Sequence, residues 1–303
     1  MTKKEIDPEL TELLGSDRVW ADVPMKDQIA FRVGGAADFL VMPETCEQLM
    51  KVLSFCREVN LPHYLMGNGS NLLVKDGGYR GAIIKTRAMD SVTVTGNTLV
   101  AEAGAMMRKV ADCALQHGLK GLAFASGIPG TIGGGVMMNA GAYGGEMKNI
   151  VKAVEVLTMG GEIKTCDNKD CDFGYRHSAF QLSGEVILRV HLALQPGDPQ
   201  AIATEMKELN ARRREKQPLE YPSAGSTFKR PEGHFAGKLI EDSGMKGYRV
   251  GGAMVSEKHA GFVINVDHAS AAHVLQVIED VQKNVMDCFG VALQPEVIMI
   301  GED

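Results

Sequence analysis

The chain has 303 residues, of which 45% are hydrophobic and 23% charged, and a formal net charge of −6. That length exceeds one ordinary core and sets an expectation of two or three domains, while the acidic balance leaves no electrostatic footprint for nucleic acid. No segment approaches the roughly 18 apolar residues of a membrane span, and the opening MTKKEIDPELTELLGSD lacks the apolar run and cleavage site of a signal peptide.

A first region, residues 1–85, reads as a small α/β unit. Thr45 and Gln48 fit a capping box, and Leu49, Val52, Leu53 and Cys56 form the apolar stripe of the helix that follows. HYLMGNGSNLLV then reads as strand, glycine turn and a second apolar run, and GAIIKT as a buried strand. Residues 86–197 are mainly short strands. VTVTGNTLVAEAG predicts a hairpin turning at Gly96-Asn97, and a helix over 106–117 stops at Gly118. AVEVLTMGGEIKTC predicts a second hairpin, and EVILRVHLAL a last strand. Residues 198–303 form a C-terminal α/β region. Asp198 can cap and Pro199 open a helix carrying Ile202, Met206 and Leu209, which Pro218 ends. GFVINV reads as a strand, and 270–289 as a helix with Val274, Val277, Ile278, Val281 and Val285 on one face. The whole is an α+β chain.

The six cysteines (Cys46, Cys56, Cys113, Cys166, Cys171, Cys288) include no CxxC pair and sit mostly in apolar patterns, which reads as reduced thiols in a cytoplasmic protein. The histidines, His259 and His268 among them, have no ligand partners at suitable spacing, so no metal is expected. Glycine is the informative residue: 35 of them, above the roughly 7% of average usage, without a collagen period. Between Gly127 and Gly145, eight of nineteen residues are glycine, interleaved with Ser126, Thr131 and Asn139. Exposed N–H groups in such a stretch suit a diphosphate. No Gly-Lys-Ser/Thr follows, so it is not a Walker loop, and no GxGxxG opens a helix after a strand. A second glycine turn, Gly67-Asn68-Gly69-Ser70-Asn71, stands between two apolar runs and presents N–H groups in the same way. Two such cradles suggest one extended dinucleotide cofactor. Residue chemistry alone stops there.

FRVGGAADF, GNGSN, SGIPGTIGGGVMMNAGAYG, YRHSAF, SAGSTFKRPEG and QPEV, in that order along 31–301, closely resemble the UDP-N-acetylenolpyruvoylglucosamine reductase family. The resemblance implies a p-cresol-methylhydroxylase-type FAD-binding fold, made of a small α/β subdomain and an antiparallel-sheet subdomain, followed by the substrate domain. It also implies NADPH as hydride source and a UDP-sugar enolpyruvyl ether as substrate, with no nucleic acid, membrane insertion or obligate protein partner. FAD is expected on Gly67, Asn68, Gly69, Ser70, Asn71, Ser126, Gly127, Pro129, Gly130, Thr131, Gly133, Gly134, Asn139, Ala140 and Gly141. Neither stretch holds a histidine, and His63 is separated from the turn, so the cofactor is expected to be non-covalent.

The resemblance also assigns the chemistry. Arg176 in the YR motif grips the enolpyruvyl carboxylate, a task suited to a permanently charged two-pronged donor. Glu296 joins it there, and donation from Glu296 would require a protonated carboxyl. Ser226 is the proton donor. No GxSxG elbow or triad spacing offers it a hydrolase role. Tyr143, Tyr175, Arg213 and Gln217 are the substrate-side candidates. Arg213 and Gln217 stand four apart in RREKQP, which matches the branch of the family without the inserted tyrosine loop. Two rivals follow from the same residues: an FAD-dependent oxidase of small alcohols or hydroxy acids, and a nucleotide-binding sensor that keeps the cradle without chemistry.

Overall fold

Helices begin where a side chain can take the orphan N–H groups of a first turn. In the computed structural model, which describes all 303 residues, α1 spans Lys3–Leu14, and the Glu5 carboxylate accepts the Thr2 N–H at 2.7 Å. The second helix, α2, spans Cys46–Glu58, and Thr45 Oγ1 accepts the Gln48 N–H at 3.2 Å. The reciprocal arm differs from the expected box: Gln48 Oε1 accepts from the N–H of Glu44, one residue earlier. Next, α3 covers Met107–Gln116 and ends at Gly118 with φ +62°. A short α4, Ile132–Met137, lies inside the glycine-rich stretch and is capped by Thr131. A single turn, α5, covers Phe180–Ser183. In α6, Pro199–Lys216, the Asp198 carboxylate accepts the N–H groups of Gln200 and Ala201. The last two are α7, Ala236–Asp242, and α8, Ala271–Phe289. Ser270 caps α8, and Asp76 accepts the N–H groups of Ala271 at 2.8 Å and Ala272 at 2.9 Å.

The chain packs as two compact units. The first comprises Met1–Val19, Val41–Asn68 and Ile84–Arg213; the second comprises Trp20–Leu40, Gly69–Ile83 and Arg214–Asp303. The chain therefore passes from one to the other within the GNGSN turn.

An antiparallel five-stranded sheet organises the first unit, in the order Ile163–Asp167, Val151–Leu157, Val186–Ala193, Thr98–Glu102, Val92–Thr95. Both expected hairpins form, with Thr95 opposite Thr98 and Leu157 opposite Ile163. Leu99, Val154, Val156, Val190 and Leu192 of the sheet are buried in one core with Val110 and Ala114 of α3 and Ile132 and Val136 of α4. Alternation along each strand supplies this face, and α4 is held by burial rather than by its glycines' helix propensity.

In the second unit, Val19–Pro24, Ala36–Val41 and Tyr79–Lys85 lie side by side. Leu72–Val74 pairs in parallel with Ile298–Ile300 near the far end of the chain. Arg249–Val250, Ala253–Val255 and Val263–Asn265 make a small antiparallel sheet. Against it packs α8, with Val274, Val277, Ile278, Val281 and Val285 buried as their spacing predicts. No helix is long and apolar enough to cross a membrane.

Candidate functional site

Main-chain hydrogen bonds anchor the glycine-rich stretch before any ligand is considered. Ile132 N–H donates to Ala105 O at 2.8 Å and Gly133 N–H to Ala103 O at 3.0 Å. Its glycines divide by what a side chain would meet. A Cβ on Gly133 would fall 2.8 Å from that of Ala103, and one on Gly135 2.9 Å from Met107 Sδ, so close packing excludes them. A Cβ on Gly134 meets only Thr131 Oγ1, at 3.4 Å. The fold's own packing therefore leaves room for a side chain at Gly134. The first half of the GNGSN turn comes to the same place: a Cβ on Gly67 would strike Thr131 Oγ1 at 2.3 Å, and Asn68 Nδ2 donates to Pro129 O at 2.6 Å.

Polar side chains within this cradle are already committed. Ser126 Oγ donates to Ala123 O at 2.8 Å and accepts from Asn210 Nδ2 at 3.0 Å. Thr131 Oγ1 accepts the Gly134 N–H. Asn139, 2% exposed and at φ +40°, donates to Glu146 Oε2 and Gly174 O and accepts the Lys148 N–H, each at 2.9 Å. What these residues can offer a ligand is main chain. By contrast, the N–H groups of Asn68, Gly69, Ser70 and Asn71 meet no main-chain acceptor within the chain. Four such donors in a row, in a turn with Gly69 at φ +63°, suit an acceptor such as a phosphate oxygen. Donors of this kind fit phosphate oxygens such as those of a dinucleotide.

Arg213, near the end of α6, donates through one guanidinium nitrogen to Gly127 O, while its Nε is buried with no partner. Burial pulls its pKa below the usual arginine value, with the Tyr143 hydroxyl acting in the opposite sense. Tyr143 stands at φ +52° and is 45% exposed. Gln217 Oε1, one residue past α6, is a second buried atom with no partner. Buried orphans are rare in folded chains, and each calls for a ligand or a water.

Arg176 lies in a tight turn closed by two hydrogen bonds between Gly174 and His177. Its φ is +53°, left-handed for a residue with a side chain. The guanidinium carbon stands 5.5 Å from the ring centre of Tyr175, which is 54% exposed.

Ser226 and Glu296 belong to the second unit, and the main chain brings them together. Thr227 is buried, its N–H donates to Gly261 O at 2.8 Å, and its Oγ1 accepts from Val263 N–H at 2.9 Å. Beside it runs the QPEV segment: Glu296 N–H donates to Thr227 O and Lys229 N–H to Gln294 O, both at 2.8 Å. Asn71 adds a third strand of contacts, with Nδ2 on Glu296 O at 3.2 Å and its carbonyl accepting from Ile298 N–H at 3.0 Å. Ser226 and Glu296 are both half-buried there. Sequence reasoning passed over Asn210, Thr227 and Gln181. Only Asn210 carries a local signal, one helical turn before Arg213.

Residues 37–167 match the family described as FAD binding domain, and residues 217–300 the family described as UDP-N-acetylenolpyruvoylglucosamine reductase, C-terminal domain. The chain is 48% identical over 294 residues to the UDP-N-acetylenolpyruvoylglucosamine reductase of Caldanaerobacter subterraneus subsp. tengcongensis, covering 97% of each chain. It is 48% identical over 300 residues, 99% of each chain, to that of Geobacillus kaustophilus. Among solved structures it is similar to UDP-N-acetylenolpyruvylglucosamine reductase from Thermus caldophilus, with a TM-score of 0.81 and 35% identity over 93% of this chain and 98% of that one. Phl p 4.0202, a glucose dehydrogenase, has a TM-score of 0.50 at 15% identity over 63% of this chain and 44% of its own, a likeness of fold alone.

Proposed function

The chain belongs to the UDP-N-acetylenolpyruvoylglucosamine reductase family, and on that premise we propose how its own residues carry the reaction. The enzyme is an FAD-dependent oxidoreductase of the p-cresol-methylhydroxylase-type fold. It reduces the enolpyruvyl ether UDP-N-acetyl-3-O-(1-carboxyvinyl)-glucosamine to UDP-N-acetylmuramate with NADPH, a step in peptidoglycan precursor synthesis. Bound FAD would supply the hydride-carrying chemistry that links NADPH to the terminal methylene carbon of the enolpyruvyl group.

The donor row at Asn68–Asn71 would offer its N–H groups to the cofactor's phosphates, as would the main chain around Gly134, and neither stretch offers a side chain for a covalent bond. Residues 1–85 and 86–197 serve FAD, and 198–303 the substrate. Arg176 grips the substrate carboxylate with two donors and stabilises the negative charge that reaches it from the neighbouring carbon. Glu296 completes that grip. Ser226 Oγ gives its proton to the carbon next to the carboxylate, so the double bond gains one hydride and one proton and becomes the lactyl ether. Arg213 and Gln217 offer their unpartnered atoms to the polar end of the substrate, with Tyr143 and Tyr175 on its flank. The reaction takes place in the cytoplasm, a reading supported by the free thiols of all six cysteines.

The observation that carries this assignment is the pairing of SAGSTFKR with QPEV, which sets Ser226 one residue from the carbonyl that Glu296 N–H binds. Absorbance spectra of the purified protein test it. NADPH should bleach the flavin band, and the enolpyruvyl nucleotide should restore it under anaerobic conditions. A flavin that NADPH leaves oxidised, or that oxygen alone reoxidises in turnover, would point to the sensor or the oxidase instead.

A further inference from the structure

A helix end leaves its last carbonyls without partners, and α4 ends at Met137. Two side chains from the segment after Arg176 take up the Met137 carbonyl: Ser178 Oγ donates to it at 2.8 Å and Gln181 Nε2 at 2.9 Å. The same Gln181 amide nitrogen donates to the Arg176 carbonyl at 3.0 Å. With Met138 Sδ also in reach at 3.4 Å, this one nitrogen spans from the end of the cradle helix to the backbone of the arginine. On the other flank, Asn139 Nδ2 holds Gly174 O at 2.9 Å. Phe180, buried in the core beside Gln181, fixes the α5 turn from which the amide reaches out.

Arg176 needs such support. Its left-handed φ of +53° is sparsely populated by residues with a Cβ, and such a conformation persists only where neighbouring contacts over-determine it. We propose that Gln181 is a positioning residue: it ties the Arg176 backbone to the C-terminal end of α4, so that the guanidinium is aimed relative to the cofactor cradle. The inference rests on the carboxylate-gripping role given to Arg176 above. Glutamine suits the place because both carbonyls need a donor, which its amide supplies. A glutamate there has no donor while ionised.

Rapid mixing of the FAD-loaded enzyme tests the idea. Q181A should keep its flavin and be reduced by NADPH like the wild type, yet its reoxidation by the enolpyruvyl nucleotide should slow about tenfold, with little change in KM, as loss of one hydrogen-bonded constraint on a charge-stabilising group implies. Q181E should be equally slow at neutral pH and regain part of the rate as the pH falls and its carboxyl takes up a proton. In a Q181A/R176K double variant the two losses should not multiply, because Gln181 acts through Arg176. Trypsin should cut after Arg176 faster in Q181A than in the wild type. Wild-type reoxidation by Q181A, unchanged cleavage, or losses that multiply in the double variant would each overturn the proposal. If R176K alone reoxidises as fast as the wild type, the role given to Arg176 fails instead.

Discussion

Asn71 donates its side-chain amide to the carbonyl of Glu296, 225 residues further on, at 3.2 Å, while its own carbonyl accepts from Ile298 N–H. The last residue of the glycine turn therefore fixes the main chain of a proposed catalytic carboxyl. Asn71→Asp keeps the size and loses the donor. It should lower kcat with the enolpyruvyl nucleotide by about tenfold, the worth of roughly one hydrogen bond, with a smaller effect on flavin retention. A variant that loses its flavin before its rate would show that the amide serves the cofactor instead.

Two adjacent glycines give the cradle an internal control. Gly134→Val adds bulk where only Thr131 Oγ1 stands nearby, at 3.4 Å, so the protein should fold and bind FAD more weakly. Gly133→Val drives a side chain into Ala103 and should destabilise the fold by about 1–3 kcal/mol, as overpacking does. Flavin titration and thermal melting of the two variants separate the effects. In the wild type, acid precipitation should leave all the flavin in the supernatant.

Much of this fold is legible in the sequence wherever a local rule suffices. The cap at Asp198, the apolar face of α8 and the turn at Gly96-Asn97 depend on neighbours within a few residues. The same rule, applied to the N-terminus, would have found α1, since Ile6, Leu10 and Leu14 repeat every four residues and are buried. Other features have no local signature. A helix of sequence IGGGVM is set by docking on Ala103 and Ala105, and the parallel pair of Leu72–Val74 with Ile298–Ile300 joins distant segments. The site divides in the same way. Arg176, Ser226 and Glu296 stand out through their motifs, but the convergence of Ser226 with Glu296 needs the pairing of two loops. Gln181 and the side-chain amide of Asn71 act on the site through the carbonyls they reach, and no residue pattern announces a carbonyl.

Arg213 is held against the cradle by Gly127 O and keeps a buried Nε with no partner. If that nitrogen waits for a substrate oxygen, Arg213→Ala should raise the KM for the enolpyruvyl nucleotide about ten- to hundredfold, the worth of about 1.5–3 kcal/mol for a charge-assisted bond. Flavin reduction by NADPH should stay near the wild-type rate. An unchanged KM would leave Arg213 as a brace for Gly127 alone.

Acid stability should report on Glu155. Burial pushes its carboxyl pKa up, but hydrogen bonds from His191 Nε2 at 2.6 Å and Arg189 at 3.0 Å outweigh this and hold it below the usual 4.5. A depressed carboxyl contributes stability that is present above the unfolded value and lost as pH falls through the folded one. Glu155→Gln should therefore melt below the wild type at neutral pH and converge with it in acid. Parallel melting curves from pH 7 down to the acid limb would remove Glu155 from the account.

Ser226 carries the sharpest prediction. A serine hydroxyl is a very weak acid, so it donates only to a strongly basic acceptor. The carbon left negative after hydride delivery is one, and a fixed hydroxyl beside it spares the site from admitting bulk water. The fold supplies that fixity: Thr227, the next residue, is buried and bonded to Gly261 and Val263, and Glu296 N–H holds its carbonyl. On the other side Gly225, at φ +79° with nothing near its Cβ position, lets the chain turn without crowding the approach. Ser226→Ala should leave FAD binding and reduction by NADPH intact while slowing reoxidation by the enolpyruvyl nucleotide by a large factor. Ser226→Cys should restore part of the rate, since a thiol is the better acid. In deuterated solvent, label should enter at the carbon next to the carboxylate, with a solvent isotope effect confined to the second half-reaction. Reoxidation of Ser226→Ala at the wild-type rate would move the proton donor to another group or to water, and Glu296, on the paired segment, would be the first residue to substitute next.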